Sequence, residues 1–230
     1  MSWKEEAKKK AAVEAVKHIR KDFVIGLGSG STVAYAFQEI GKKIKKEGLQ
    51  ICGVPSSYQA FILATKYGIP TTTLDEHPKL DLTIDGADQI DKNLNLIKGM
   101  GGALLREKIV ASAAKQFIIV ADESKMTDRL GKNQTVPIEV LPFASTTVTS
   151  KIHEMKGKTS LREGTNKVGP VITDNGNFIV DADFGLIKNP KELEYKLKSI
   201  PGVIETGLFI EMADIAYIGT STTVEILKRK

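Results

Sequence analysis

Phe23-Val24-Ile25-Gly26-Leu27-Gly28-Ser29-Gly30-Ser31-Thr32 is a short apolar run that enters a glycine-rich turn. Val33, Phe37, Ile40 and Ile44 follow at three- and four-residue spacing, so the turn opens an amphipathic helix over residues 32–46. The same grammar recurs on both sides. Residues 7–20 read as a helix ahead of it. Residues 49–54 read as a strand feeding a helix at 56–67 that starts on a Ser cap. Residues 80–85 form an apolar run ending in a carboxylate, residues 102–114 are helical, and residues 117–121 are a strand. Short apolar strands alternating with helices predict a parallel sheet covered by helices, an α/β Rossmann-like domain.

The pattern changes near residues 131–137. A strand at Val136–Val140 is followed by a helix at 146–155, a strand, an extended piece at 171–173, and the turn signal Asp174-Asn175-Gly176. A strand at 178–181, a helix from Pro190 to residue 199 and a strand at Val203–Thr206 complete the order βαββαβ, which predicts a smaller ferredoxin-like α+β domain. Residues 215–218 form a strand that returns to the first sheet. The expected division is therefore 1–131 with 207–230, and 132–206.

At 230 residues the chain is long enough to bury a substantial core. Cys52 is the only cysteine, which excludes an intrachain disulfide and paired-cysteine metal motifs and suits a reducing compartment. The Lys- and Glu-rich first twenty residues lack the apolar centre of a signal peptide, and no run is long and apolar enough to span a bilayer. The expected location is cytoplasmic, with no membrane partner. The net charge is +5. Lys8-Lys9-Lys10 and the lysines between positions 42 and 46 fall in helical patterns and read as solvated faces, and Lys228-Arg229-Lys230 reads as a C-terminal tail. Neither interleaved aromatics nor a recognition motif accompanies them, which argues against a nucleic-acid partner. A mild positive balance suits a small anionic substrate.

Chemistry concentrates at strand ends. In the first turn, glycines allow close backbone approach to a ligand, the amides at a helix start favour an anion, and Ser29, Ser31 and Thr32 add hydroxyls. A phosphate cradle and a plain capped turn both fit. A P-loop does not, for want of its Lys, and a dinucleotide site does not, because Gly53, Val54 and Pro55 stand where an acid is needed. Asp85-Gly86-Ala87-Asp88 places two acids at the carboxyl edge of a strand, where open α/β sheets bind ligands. Asp91 reads as a turn residue. Lys98-Gly99-Met100-Gly101-Gly102 puts backbone amides beside a cation just before a helix, a set suited to a developing oxyanion. Glu107 follows in the first turns of that helix, where a carboxylate is also favoured by the helix end alone. Lys125 stands after a fourth strand end, within reach of an anion or simply on a surface loop.

Taken together, residues 28–32, 85–88, 98–108 and 122–125, with Asp174-Asn175-Gly176-Asn177 and the stretch from Pro201 to Phe209, resemble the type A ribose-5-phosphate isomerases over nearly the whole chain. Met100 and Gly102 depart from the common glycine–alanine pattern of the Lys98 loop, and Ser29 stands where many relatives have Thr. The resemblance implies interconversion of D-ribose 5-phosphate and D-ribulose 5-phosphate, in the non-oxidative branch of the pentose phosphate pathway, without metal or organic cofactor. It implies Glu107 as the proton carrier, with Asp85 and Lys98 also catalytic. Ser29, Gly30, Ser31 and Thr32 would hold the phosphate. Asp85, Gly86, Ala87, Asp88, Lys98, Gly99, Met100, Gly101 and Lys125 would make the other substrate contacts, and Lys8 would stand near the phosphate. A homodimer or homotetramer is expected. His18, His77 and His153 are scattered along the sequence and read as structural or exposed. A sugar-phosphate-sensing regulatory domain, an amino-sugar-phosphate isomerase and an acyl-CoA transferase are the competing readings.

Overall fold

The computed structural model describes residues 2–229. Along the chain the elements are α1 Trp3–Val16, β1 Phe23–Leu27, α2 Val33–Glu47, β2 Ile51–Pro55, α3 Tyr58–Tyr67, β3 Leu82–Asp85, β4 Gln89–Ile90, β5 Leu96–Ile97 and α4 Leu104–Ser112. Then come β6 Phe117–Asp122, β7 Val136–Val140, α5 Ser145–Glu154, β8 Lys158–Leu161, β9 Phe178–Asp183, α6 Pro190–Lys198, β10 Val203–Thr206, β11 Leu208–Phe209, β12 Ile215–Gly219 and β13 Val224–Lys228. They fall into two compact units. The first comprises Met1–Ala87, Arg106–Met126 and Glu211–Lys230; the second comprises Asp88–Leu105 and Thr127–Ile210.

In the first unit six strands lie in the order β13-β12-β6-β3-β1-β2. All pairings are parallel except β12 with β13. The run of buried positions along β6 and β12 is continuous, as expected of parallel strands covered on both faces. One face is filled by Phe37 and Ile40 of α2 and by Ala11, Ala12 and Ala15 of α1 against Ile25, Ile84, Ile118 and Val120. On α1 the buried residues are four alanines and Val16, so this helix lies close to the sheet. A Cβ on Gly219 of β12 would fall 2.0 Å from the Ala7 carbonyl oxygen. Val54, Leu80 and Val110 form a separate small cluster.

In the second unit β10-β7-β9-β8 is an antiparallel sheet, the strand order of a ferredoxin-like βαββαβ unit. Val148 and Ile152 of α5 and Leu197 of α6 pack with Val136, Ile138, Val140 and Val180. A three-stranded ribbon, β11-β5-β4, completes it.

The α/β reading holds. The returning strand is β12, parallel to β6. Several details differ from the expectation. Helix α1 begins four residues earlier, because Ser2 caps it and its first turn carries Glu5 and Glu6. Residues 171–173 are not a strand. The strands beside β9 are β7 and β8, and the Thr173 hydroxyl oxygen accepts from the amides of Asn175 (3.3 Å) and Asn177 (3.1 Å), which folds the chain into a turn. Gly176 completes that turn at φ 80°. The basic C-terminus is not a tail through Arg229: Lys228 ends β13, and the Arg229 guanidinium lies 2.6 Å from Asp214. Lys230 lies outside the described residues. The helical lysines pair along their own helices, Lys42 with Glu39 at 2.9 Å and Lys43 with Glu47 at 3.4 Å, as solvated faces do. Among the described residues no helix is long and apolar enough to cross a membrane.

Candidate active site

Strand β1 has β2 on one side and β3 on the other, so the order in which strands are added to the sheet reverses between β1 and β3, which remain parallel. The carboxyl ends of two such strands flank the crevice where open α/β sheets hold ligands. The loop Gly28 to Ser31 follows β1, and Asp85-Gly86 follows β3. Asp85 is fully buried. Its Oδ1 accepts from the Ser29 amide at 3.1 Å and from the Gly86 amide at 2.7 Å. This geometry requires glycine at position 28, where a Cβ would fall 2.2 Å from the same oxygen.

The glycine-rich turn is further built by α3. Ser29 Oγ lies 2.6 Å from Ser57 Oγ and 3.1 Å from Ser56 Oγ, and the Gly30 amide donates to Gln59 Oε1 at 2.9 Å. Ser57 also caps α3 by accepting from the Ala60 amide at 3.0 Å. Thr32 occupies the cap position immediately before α2. From α1, Lys8 Nζ reaches Ser31 Oγ at 3.3 Å while pairing with Glu5 at 3.0 Å. The Tyr35 hydroxyl donates to Glu5. That hydrogen bond, followed by the Lys8 bond, holds the Glu5 carboxyl below its ordinary pKa, and the same bond raises the Tyr35 phenol. The turn is therefore a cluster of hydroxyls and amides with a cation at its edge.

Glu107 is buried, at 5% exposure, in the first turns of α4. A buried carboxyl there is not the surface glutamate that a helix start alone would explain. Lys125 ends a single 3-10 turn after β6, half-buried, where Asp122 caps the turn by accepting from the Ser124 amide at 3.0 Å.

In the second unit, Lys98 is 3% exposed, with its ammonium 5.4 Å from the centre of the Phe209 ring. Gly99 takes φ 105°, a conformation open to glycine, and Leu104 packs where its Cβ would be. Asp88 Oδ2 accepts from the Met100 amide at 3.0 Å, so the second acid of the motif holds the Lys98 loop. Asp91 behaves as a turn residue, its Oδ1 accepting from the amides of Asn93 (2.8 Å) and Asn95 (2.9 Å). Arg162, which sequence reasoning passed over, donates through Nη1 to the carbonyls of Gly99 (2.8 Å) and Met100 (2.9 Å). Gln59 was also missed. A residue that acts through a contact distant in the chain leaves no local pattern to read.

The histidines stay apart in role: His18 Nε2 is 2.6 Å from the Tyr217 hydroxyl and His153 Nε2 is 2.8 Å from the Thr159 hydroxyl. Among the described residues no group of three or more His, Cys, Asp or Glu gathers as a metal site.

Residues 52–223 match the family described as Ribose 5-phosphate isomerase A (phosphoriboisomerase A). The chain belongs to that family. It is 50% identical to the ribose-5-phosphate isomerase A of Methanosarcina acetivorans, with 97% of this chain and 94% of the relative covered. Identity to the ribose-5-phosphate isomerase A of Pyrococcus abyssi is also 50%, over 98% and 99% of the two chains. Among solved structures, a D-ribose-5-phosphate isomerase in complex with phospho-erythronic acid superposes with a TM-score of 0.97 at 49% identity, covering both chains fully. Ribose 5-phosphate isomerase A from Methanocaldococcus jannaschii gives 0.94 at 44% identity, over 97% of this chain and 99% of the other. These members of the family share the fold of this chain throughout both units.

Proposed function

We propose that this chain is the ribose-5-phosphate isomerase of its source, interconverting D-ribose 5-phosphate and D-ribulose 5-phosphate in the non-oxidative pentose phosphate pathway. The observation that carries this reading is membership of the isomerase family along nearly the whole chain, at about half identity. The turn at residues 29–32 holds the phosphate through amides and hydroxyls, with Lys8 beside Ser31. This remote binding fixes the register of the sugar.

Isomerisation removes the proton from C2 of the open-chain aldose, leaves an enediolate, and returns a proton to C1. C1 and C2 are adjacent, so one carboxylate performs both transfers; that carboxylate is Glu107. A positioned base supplies about 10²–10⁴-fold. Lys98 and the amides of its loop stabilise the enediolate oxygen, a single such donor being worth roughly 3–4 kcal/mol. Asp85 exchanges a proton with the ring oxygen as the sugar opens, and Asp88, Gly86, Ala87 and Lys125 contact the remaining sugar and phosphate oxygens. The reaction runs without metal or organic cofactor in this scheme. A cytoplasmic homodimer or homotetramer accords with the single cysteine and with the family resemblance.

A stopped assay for ribulose 5-phosphate tests the reading, with glucosamine 6-phosphate as the competing substrate. The expected result is turnover of the pentose phosphate alone, unchanged by chelator. Glu107→Gln is expected to lose turnover while still binding ribose 5-phosphate. An inert parent protein, or a Glu107→Gln variant with near-native turnover, would overturn the function or the base assignment respectively.

A further inference from the structure

Arg162 follows β8 and is mostly buried, its side chain 13% exposed. Every donor on its guanidinium is placed. Nε donates to Asp181 Oδ2 at 2.8 Å, and Nη2 donates to Asp181 Oδ1. Nη1 turns its two hydrogens to two successive carbonyls, Gly99 O at 2.8 Å and Met100 O at 2.9 Å. Nη2 also lies 3.8 Å from the Met100 sulfur. Asp181 sits on β9, opposite Ser160 of β8, so the ion pair is anchored in a sheet, while the carbonyls belong to the loop after Lys98.

Fixing these carbonyls fixes the amides behind them. A trans peptide is planar, with its N–H directed opposite to its C=O. Holding Met100 O on the guanidinium therefore aims the exposed Gly101 N–H away from Arg162. Holding Gly99 O does the same for the Met100 N–H, which Asp88 receives. A cation on the carbonyl also polarises the peptide and strengthens its N–H as a donor. The loop is rich in glycine, Gly99 and Gly102 both at positive φ, and would otherwise rotate its peptide planes at little cost.

We propose that Arg162, held by Asp181, is a positioning residue for the isomerase reaction: it orients and polarises the Gly101 amide as the donor that meets the enediolate. Lysine cannot replace it, because a single ammonium does not bridge two carbonyls while engaging both carboxylate oxygens. The inference rests on the isomerase reading above and deepens it.

The test uses the full-length protein and compares Arg162→Lys and Arg162→Met with the parent. Four quantities are measured: kcat and KM for ribose 5-phosphate, inhibition by inorganic phosphate, inhibition by a four-carbon aldonate phosphate whose carboxylate imitates the enediolate, and the thermal midpoint. The expected result is a fall in kcat of about 10²-fold. Aldonate phosphate should weaken in parallel, while KM and the inorganic-phosphate constant stay within about threefold. Unchanged kcat in folded variants would overturn the inference. So would an equal loss of inorganic-phosphate affinity, or loss of folding in both variants, since each makes the role merely structural. If Arg162→Met alone fails to fold, Arg162→Lys decides on the same criteria. A parent inert toward ribose 5-phosphate overturns the isomerase reading itself; an active parent with indifferent variants overturns only the role of Arg162.

Discussion

Gly28 and Asp85 meet at the ends of β1 and β3 with no room for a side chain at position 28: a Cβ there would fall 2.2 Å from Asp85 Oδ1 and 2.3 Å from its carboxyl carbon. The carboxylate holds the Ser29 and Gly86 amides, so one missing methyl group lets a single acid organise two loops. Gly28→Ala must push Asp85 aside. The expected cost is about 1–3 kcal/mol, from overpacking and from the displaced hydrogen bonds. Urea unfolding measures the stability, and kcat/KM for ribose 5-phosphate is expected to fall by more than tenfold in the folded variant, an outcome that ties Asp85 to function as well as to packing.

Lys8 offers a separable contribution. Its ammonium sits 3.3 Å from Ser31 Oγ, at the edge of the proposed phosphate turn. Lys8→Met is expected to raise KM for ribose 5-phosphate and the inhibition constant of inorganic phosphate together, by about tenfold, with kcat little changed. A fall in kcat with unaltered KM would place Lys8 elsewhere in the cycle.

Glu139 of β7 is fully buried, and its Oε1 accepts from the Thr173 hydroxyl, Asn175 Nδ2 and Asn177 Nδ2, each at 2.9 Å. The turn at residues 173–177 is thus tied to a sheet interior by one oxygen. Glu139→Ala strands those donors and is expected to destabilise the fold by about 2–3 kcal/mol. In a double-mutant cycle with Asn177→Ala the losses should be less than additive. Additive losses would show that the two side chains act independently.

The His18 imidazole has a lowered pKa, mainly because of burial and then because of Lys228 and Arg20. In the unfolded chain the ring takes up a proton near the ordinary value of about 6.5, whereas the folded protein resists protonation until the pH is lower. Between those two points the unfolded state binds more protons, so stability falls as pH falls, and it is fully retained above the upper point. Denaturation midpoints measured from pH 8 to pH 5 are expected to decline for the parent and to decline less for His18→Gln. Identical slopes would remove His18 from the acid response.

Much of this architecture was legible because its elements carry strong local signals. The strands Phe23–Leu27, Val136–Val140 and Val203–Thr206 are branched and apolar and end at turn residues, and their bounds in the structure are those expected from sequence. Helix α1 started earlier than expected because its first turn is set by a cap and by charge, which apolar spacing does not register. Strands β4, β5 and β11 are two residues long, too short for any period to appear. Strand β13 is largely exposed, with charged residues among its apolar ones, and only its last residue, Lys228, entered the sequence reading, as the start of a tail. Residues of the candidate site stood out because each group lies in a contiguous loop at a strand end. Arg162 did not, since its meaning lies in two carbonyls more than sixty positions away.

The close seating of α1 on β12 has a consequence for biosynthesis. The carbonyl of Ala7 lies against Gly219, far later in the chain. Strand β12 also joins β6 to β13 in the sheet. A ribosome-bound chain therefore holds α1 ready for a strand that has not yet been translated. Completion of the first unit waits for β12 to emerge, and truncations that remove β12 should leave products open to proteolysis.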